Sequence, residues 1–274
     1  MKILISCLFY ENCTGSELYV FDLAHALLRR GHDISVHAQD IGGQIFERTD
    51  ERIRVSPRQT SKTTPDLVLA QHHVFSKDLI ENTDAPVVYT CHSEKLPDEF
   101  PIKHPKIKKY IAVRQAIADF MVEEGEITAD KIEVVPNGVD LNRFKPSDKP
   151  KKYGFIPANV TLLRMPFIER LMEEYPTESL LFSGFGTGLL PNKPNLLRKD
   201  SQWEIEEFYD EAKWVAGLFQ GRTQYEAWAC GLEFKSYYWD GTPYPMERPD
   251  NFEEIYGLEK VVDTLEDIYK RSII

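Results

Sequence analysis

The sequence predicts an α/β protein of two Rossmann-like halves, each a parallel sheet flanked by helices. Three observations carry that prediction. Short apolar runs alternate with longer amphipathic stretches along the whole chain, as repeated βαβ units require. The 274 residues are 42% hydrophobic and 28% charged, which suits one large or two modest cores and excludes a disordered or collagen-like chain. Turn chemistry at Pro136-Asn137-Gly138-Val139-Asp140, then a Ser-, Asp-, Pro- and Lys-rich stretch from Pro146 to Lys152, reads as a hinge between the halves.

The elements follow in order. Lys2–Phe9 is a buried strand. Ser16–Arg30 is a helix with Leu18, Phe21, Leu27 and Leu28 near one face, Ser16 as its cap and Gly31 as its end. Asp33–Ala38, Ile53–Ser56, Asp66–Gln71, Pro86–His92, Tyr110–Val113 and Lys131–Val135 are further strands, with helices near Phe75–Glu81 and Arg114–Glu124. Past the hinge the alternation restarts: strand Tyr153–Ile156, helix Leu163–Glu174, strand Ser179–Ser183, helix Trp203–Ala212, strand Trp214–Phe219, helix Thr223–Cys230 and strand Phe234–Trp239. Gly241 to Asn251 is a proline-rich loop and Leu258–Arg271 a terminal helix. The expected domains are 1–146, 147–257 and a C-terminal helical segment, 258–274, packing back on the first.

Thirty-three basic against 44 acidic residues give a net charge of −11, which opposes non-specific nucleic-acid binding. One basic run, Lys103, Lys106, Lys108 and Lys109, is either a solvated approach to a strand or a contact for an anionic partner. Cys7, Cys13, Cys91 and Cys230 form no CxxC pair, so neither a zinc cluster nor a disulfide framework is expected, and a cytoplasmic setting fits. No transmembrane segment or leader is expected, because no apolar run approaches the ~20 residues that span a bilayer.

Ligands of open α/β sheets bind beyond the carboxyl ends of the strands, so a cleft between the halves is expected. The loop from Glu11 to Glu17 joins the first strand to the first helix, where Gly15 allows a ligand close to the backbone or simply makes a tight turn. It lacks the GxGxxG pattern of a dinucleotide site. Gln220-Gly221-Arg222-Thr223 opens a second helix of interest: Gly221 and Thr223 offer backbone N–H groups to a diphosphate and Arg222 a forked contact. Glu226, one turn on, faces the same side and accepts from ribose hydroxyls, or is a surface carboxylate. Ser183 to Gly188 carries three glycines, Gly184 first among them, in a ligand turn or a flexible loop. His72 and His73 end a strand without a third metal ligand at a recognisable spacing, so they read as structure or cleft lining. Trp203, Phe208, Tyr209 and Trp214 read as core, and Tyr237, Tyr238 and Trp239 as a buried strand.

The segment Val134 to Asp140, with Phe144 and Pro146, resembles the interdomain signature of GT-B glycosyltransferases, specifically the retaining glycosyltransferase family four. Three further segments agree in order: Gly15-Ser16-Glu17 with Arg30-Gly31-His32-Asp33; Thr90-Cys91-His92-Ser93; and Glu226-Ala227-Trp228-Ala229-Cys230-Gly231. The resemblance implies a GT-B fold and transfer of a sugar from a nucleotide diphosphate donor, held by the second domain, to an acceptor held by the first. The anomeric configuration would be retained. It implies that Glu226 is the second glutamate of an E-x7-E motif and binds the ribose; the first is replaced by Leu218. It makes Arg164 the counterpart of a basic pair facing the leaving diphosphate, which with Arg222 serves without a metal. It sets His92 beside the donor sugar, and Lys199, within Leu197–Asp200, near the nucleobase. No Asp-x-Asp pair suggests a metal ion, so no cofactor is expected beyond the nucleotide sugar as donor substrate.

The expected partners are a nucleotide sugar and an acceptor glycan, lipid-linked sugar or small molecule. A modified base in DNA, gripped through Lys103 to Lys109, is the alternative acceptor. A catalytically degenerate binder of nucleotide sugars or glycans is the alternative function, motivated by Leu218 and the single clear basic residue at Arg164.

Overall fold

The computed structural model describes residues 1–57, 64–219 and 221–273, and divides them into two compact units. The first comprises Met1–Gly138 and the segment from Leu258 onward; the second is Val139–Gly257. The expected boundary at 146 lies within the second unit, because Val139 and Phe144, 0% and 1% exposed, are anchored in its core.

The first unit runs β1 (Lys2–Tyr10), α1 (Gly15–Arg29), β2 (Asp33–Ile41), α2 (Gly43–Glu47), β3 (Arg54–Ser56), β4 (Leu67–Ala70), α3 (His73–Asn82), β5 (Val87–Cys91), β6 (Ile107–Ala112), α4 (Gln115–Glu123) and β7 (Ile132–Val134). Its sheet has the order β3-β2-β1-β4-β5-β6-β7, and its pairings are parallel. Burial on both faces explains the continuous apolar runs: Ile3, Leu4, Ile5 and Cys7 in β1 and all of β4 are buried. The helix α1 is capped by Thr14 rather than Ser16, and Glu17, three residues into it, closes a capping box.

The second unit runs β8 (Tyr153–Pro157), α5 (Met165–Glu174), β9 (Leu180–Ser183), β10 (Leu196–Lys199), α6 (Glu206–Glu211), β11 (Ala212–Leu218), α7 (Arg222–Ala229), β12 (Phe234–Tyr237) and α8 (Phe252–Tyr256). Its parallel sheet has the order β10-β9-β8-β11-β12. The sequence reading missed β10, an edge strand whose last three residues are exposed and so carry no apolar run. The expected strand to Trp239 stops at Tyr237, and Tyr238 is exposed. Tyr209 and Trp214 are core residues as expected.

The final helix, α9 (Leu258–Ser272), belongs to the first unit. It buries Val261, Val262, Leu265, Ile268 and Tyr269 and packs on α1, β5 and β6. Arg30 fastens it, bonding Asp263 at 2.7 Å, Glu266 at 2.9 Å and Glu259 at 2.9 Å. Both sheets reverse their strand order once, at β1/β4 and at β8/β11. Those are the points where an open α/β sheet leaves a crevice beyond its strand ends.

Candidate functional site

In the second unit the crevice point lies between the ends of β8 and β11. After β8 the chain turns through Asn159 and enters a short 3-10 turn, Leu162–Arg164, ahead of α5. Arg164 is half-buried there. Its guanidinium donates to the Asn159 carbonyl at 3.2 Å and lies 5.9 Å from the ring centre of Trp239, which follows β12. Burial alone lowers its pKa; no carboxylate among the described residues pairs with it. A cation set at the strand ends without a counter-ion is available to an anionic ligand.

Arg222 and Glu226 are arranged differently from expectation. The Arg222 Nε donates to Glu226 Oε1 at 2.6 Å, and the Tyr209 hydroxyl donates to Glu226 Oε2 at 2.7 Å. The side chains of Arg222 and Glu226 are 7% and 3% exposed. Both carboxylate oxygens are thus engaged inside the unit, and neither group is presented to phosphate or ribose in this structure. The sequence does hold the signal: Arg222 and Glu226 stand at i and i+4 on one helix, the spacing of a helical ion pair. Gly221 is the extended N-cap of α7, and Thr223 is half-buried in the first turn, where backbone N–H groups lack helical acceptors. Gln220, the start of that loop, lies outside the described residues. Leu218 ends β11 where a first glutamate was missing.

The glycine turn after β9 also has another cause. Gly184 has φ +152°, and a Cβ there would stand 2.7 Å from the Ala158 carbonyl oxygen. Gly186, at φ +75°, would meet the Val160 carbonyl oxygen at 2.2 Å. The space is filled by the loop after β8, so these glycines seat that loop rather than admit a ligand; Asn159 Oδ1 accepts from the Phe185 N–H at 3.0 Å across the same contact. Lys199 ends β10 fully at the surface, without an ion-pair partner among the described residues. The structure gives it no further tie to the site.

In the first unit the loop after β1 is closed by its own anion. Glu17, 1% exposed, accepts the backbone N–H groups of Glu11 at 3.1 Å, Asn12 at 2.9 Å and Thr14 at 3.2 Å. Those three donors are therefore taken. Gly15 is exposed, with nothing within 4 Å of where a Cβ would stand. The Thr14–Glu17 spacing was a legible capping signature.

His92 follows β5 and is half-buried. Its backbone N–H donates to Glu99 Oε2 at 2.9 Å, its Nε2 pairs with Gln71 Oε1 at 2.7 Å, and the Tyr19 ring stands edge-on at 4.8 Å. Burial, then the charges of His72 and Arg114, push its pKa down to about 3. His72, 8% exposed, has φ +63°; its Nδ1 accepts from the Leu8 N–H at 3.1 Å. Burial pushes the Glu99 carboxyl up to about 7. Sequence reasoning missed Gln71 and Glu99, since a Gln and a Glu in loops carry no signal until the fold gathers them. His73 bonds the Phe100 carbonyl at 3.1 Å, and among the described residues no three His, Cys, Asp or Glu side chains gather as a metal site.

The basic run is largely tied down. Lys103 pairs with Glu126, Lys106 bonds the Glu81 carbonyl at 2.9 Å, and Lys109 lies 3.2 Å from Glu133. That supports the solvated-face reading. Among the described residues no helix is long and apolar enough to cross a membrane.

Comparison with known proteins agrees with the architecture. Residues 14–143 match the model of Glycosyltransferase Family 4, and the chain resembles that family. Anabaena Alr3699/HepE, solved in complex with UDP-glucose, superposes with a TM-score of 0.68 at 17% identity, covering 100% of this chain and 92% of that one. A glycosyltransferase from Rickettsia africae gives 0.65 at 16% identity, over 98% and 88%. WaaG, described as involved in lipopolysaccharide biosynthesis, gives 0.63 at 14%, over 99% and 94%. The chain has the GT-B fold with two Rossmann-like units. The comparison with curated proteins finds no match.

Proposed function

We propose that the chain transfers a sugar from a nucleoside diphosphate donor to an acceptor glycan, lipid-linked sugar or small molecule, with retention of configuration and without a metal ion. The bond from the anomeric carbon to the diphosphate oxygen breaks, a bond to the acceptor oxygen forms, and the acceptor's proton leaves with the diphosphate. The family match of residues 14–143 supports the class of reaction. The observation that carries the site is Arg164: a half-buried cation at the β8/β11 crevice with no carboxylate partner among the described residues, suited to the charge that develops on the departing diphosphate. The first turn of α7, at Gly221 and Thr223, supplies backbone donors beside it in the sheet order; in the first unit, His92 is the residue that we propose contacts a sugar hydroxyl. Four free thiols, three of them buried, suit the reducing cytoplasm that we propose as the setting. With Lys103, Lys106 and Lys109 engaged, a DNA acceptor is not favoured.

The test mixes the protein with UDP-, GDP-, ADP-, CMP- and dTDP-sugars, with and without EDTA, and records the melting shift and released nucleotide. One base should raise the melting temperature, with slow release that EDTA leaves unchanged. Arg164→Ala should weaken binding of the nucleoside diphosphate so identified about 10–100-fold, the range expected for a lost charge-assisted phosphate contact. Absence of any shift, or unchanged affinity in Arg164→Ala, defeats the proposal. NMR of the product's anomeric proton decides retention.

A second reading, donor binding without turnover, is favoured by one observation: Glu226 is locked by Arg222 and Tyr209 while Leu218 replaces the other glutamate. A melting shift with no nucleotide release, acceptor extracts included, selects it.

A further inference from the structure

Two strand ends of the first unit, after β4 and β5, and the turn that follows β5 bring together Gln71, His72, His92 and Glu99, and the directions of their hydrogen bonds fix more than their positions. His72 Nδ1 accepts the Leu8 N–H at 3.1 Å, so that nitrogen carries no proton, and neutral His72 keeps its proton on Nε2, 3.6 Å from Glu99 Oε1. The other Glu99 oxygen accepts the His92 backbone N–H at 2.9 Å. His92 Nε2 lies 2.7 Å from Gln71 Oε1. With the Gln71 amide oxygen facing the ring, as the structure orients it, that oxygen only accepts, which sets the His92 proton on Nε2 and a lone pair on Nδ1. Among the described residues Nδ1 has no hydrogen-bond partner, and it is not a buried orphan either; it is the open edge of the ring.

We propose that Gln71 is a positioning residue that holds His92 as a single neutral tautomer, Nε2–H inward to Gln71 and Nδ1 outward as acceptor for a sugar hydroxyl, while Glu99 holds the backbone that carries the ring. The use of that edge rests on the reading of the chain as a sugar transferase; the tautomer does not. Gln71 is 2% and Glu99 3% exposed, so both act through His92 rather than on a ligand. The strained backbone of His72, at φ +63°, is maintained between Leu8 and Glu99, as expected where a local conformation serves a site. The groups facing the imidazole are Gln71 and His72 after β4, Tyr19 of α1, Glu99 in the turn after β5, and Arg114 at the start of α4. Burial, with the Arg114 cation nearby, keeps the ring neutral across the working pH range.

The experiment uses the full chain labelled with ¹⁵N-histidine, His92 being assigned from the His92→Gln spectrum. Long-range ¹H–¹⁵N correlations should show His92 as the Nε2–H tautomer from pH 5 to 8. Gln71→Glu keeps an acceptor and adds a charge: the tautomer should persist and the imidazole pKa rise by about two units. Gln71→Met removes the acceptor; it should give mixed tautomers and lower the kcat of UDP-glucose hydrolysis about tenfold, with the Kd for UDP unchanged. An Nδ1–H tautomer in the wild type overturns the proposal, as does a Gln71→Glu titration that does not move. If Gln71→Met fails to fold, those two results still decide it. A wild-type protein that hydrolyses no nucleotide sugar sinks the proposed function, while the tautomer and titration remain decisive for the geometry.

Discussion

Glu226→Gln separates an internal brace from a ligand contact. In the structure Arg222 and Tyr209 donate to opposite oxygens of Glu226 at 2.6 and 2.7 Å, and both charged side chains are at most 7% exposed. Glutamine offers one acceptor oxygen to two donors, and its NH₂ group then faces the other. Removing one partner of a buried pair costs about 3–5 kcal/mol, because the remaining charge stays desolvated. For a unit of this size that corresponds to a melting loss of roughly 10–20 °C. All four tryptophans, Trp203, Trp214, Trp228 and Trp239, lie in the second unit, so tryptophan fluorescence during urea unfolding reads this unit alone. Replacing all three members, Arg222→Met and Glu226→Leu with Tyr209→Phe, should recover stability to within about 1 kcal/mol of wild type. Calorimetric titration with UDP supplies the second axis, and affinity should change less than threefold in Glu226→Gln where folded. A variant of unchanged or raised stability whose UDP affinity falls tenfold refutes the brace and returns the carboxylate to the ribose.

Arg30→Ala should loosen α9, with exchange of its amide hydrogens at least tenfold faster. Of its three carboxylate partners Glu266, 14% exposed against 59% and 61% for Glu259 and Asp263, should carry most of the loss, so Glu266→Gln should outweigh Glu259→Gln. Gly184→Ala should cost about 2 kcal/mol or more of second-unit stability, because a Cβ would press on Ala158 at φ +152°; a neutral outcome by the same fluorescence unfolding contradicts that packing. Glu99 gives a pH signature in the first unit. Its folded pKa, raised by burial from 4.5 to about 7, means that protonated Glu99 is the favoured folded form. Its contribution is therefore full below about pH 4.5 and is lost as pH rises through 7, by roughly 3 kcal/mol. His72 and His92, depressed to about 4 and about 3, act in the opposite sense: their contribution is present above pH 6.5 and lost as pH falls through those values. Glu99→Gln should abolish only the loss between pH 4.5 and 7; stability curves that stay parallel refute the assignment.

Much of the fold was legible because buried parallel strands write themselves as apolar runs: β1, β4 and β5 and the helices α1 and α3 fall within a few residues of expectation, whereas the five-residue α2 was not expected. The exceptions share a cause. The edge strand β10 has little to bury, and α1 begins at a Thr–Glu capping box two residues before Ser16. The unit boundary moved from 146 to 138 because Val139 and Phe144 are held by packing that local turn chemistry does not reveal.

The candidate site was less legible because residue type does not reveal who the partner is. Arg164 and Arg222 look alike in sequence, each at the start of a helix after a strand. One has a carboxylate four residues on and is consumed by it; the other has Glu169 at i+5, outside the pairing spacing, and keeps its charge. The same logic separates two glutamates: Glu17 neutralises the donors of a loop that looked ready for an anion, whereas Glu99 was invisible and proves to hold His92. Helical spacing alone pairs Arg222 with Glu226 and leaves Arg164 without a carboxylate at i+4. The remaining step, the proton position on His92, depends on Gln71 arriving from another strand end, and only the folded chain supplies that.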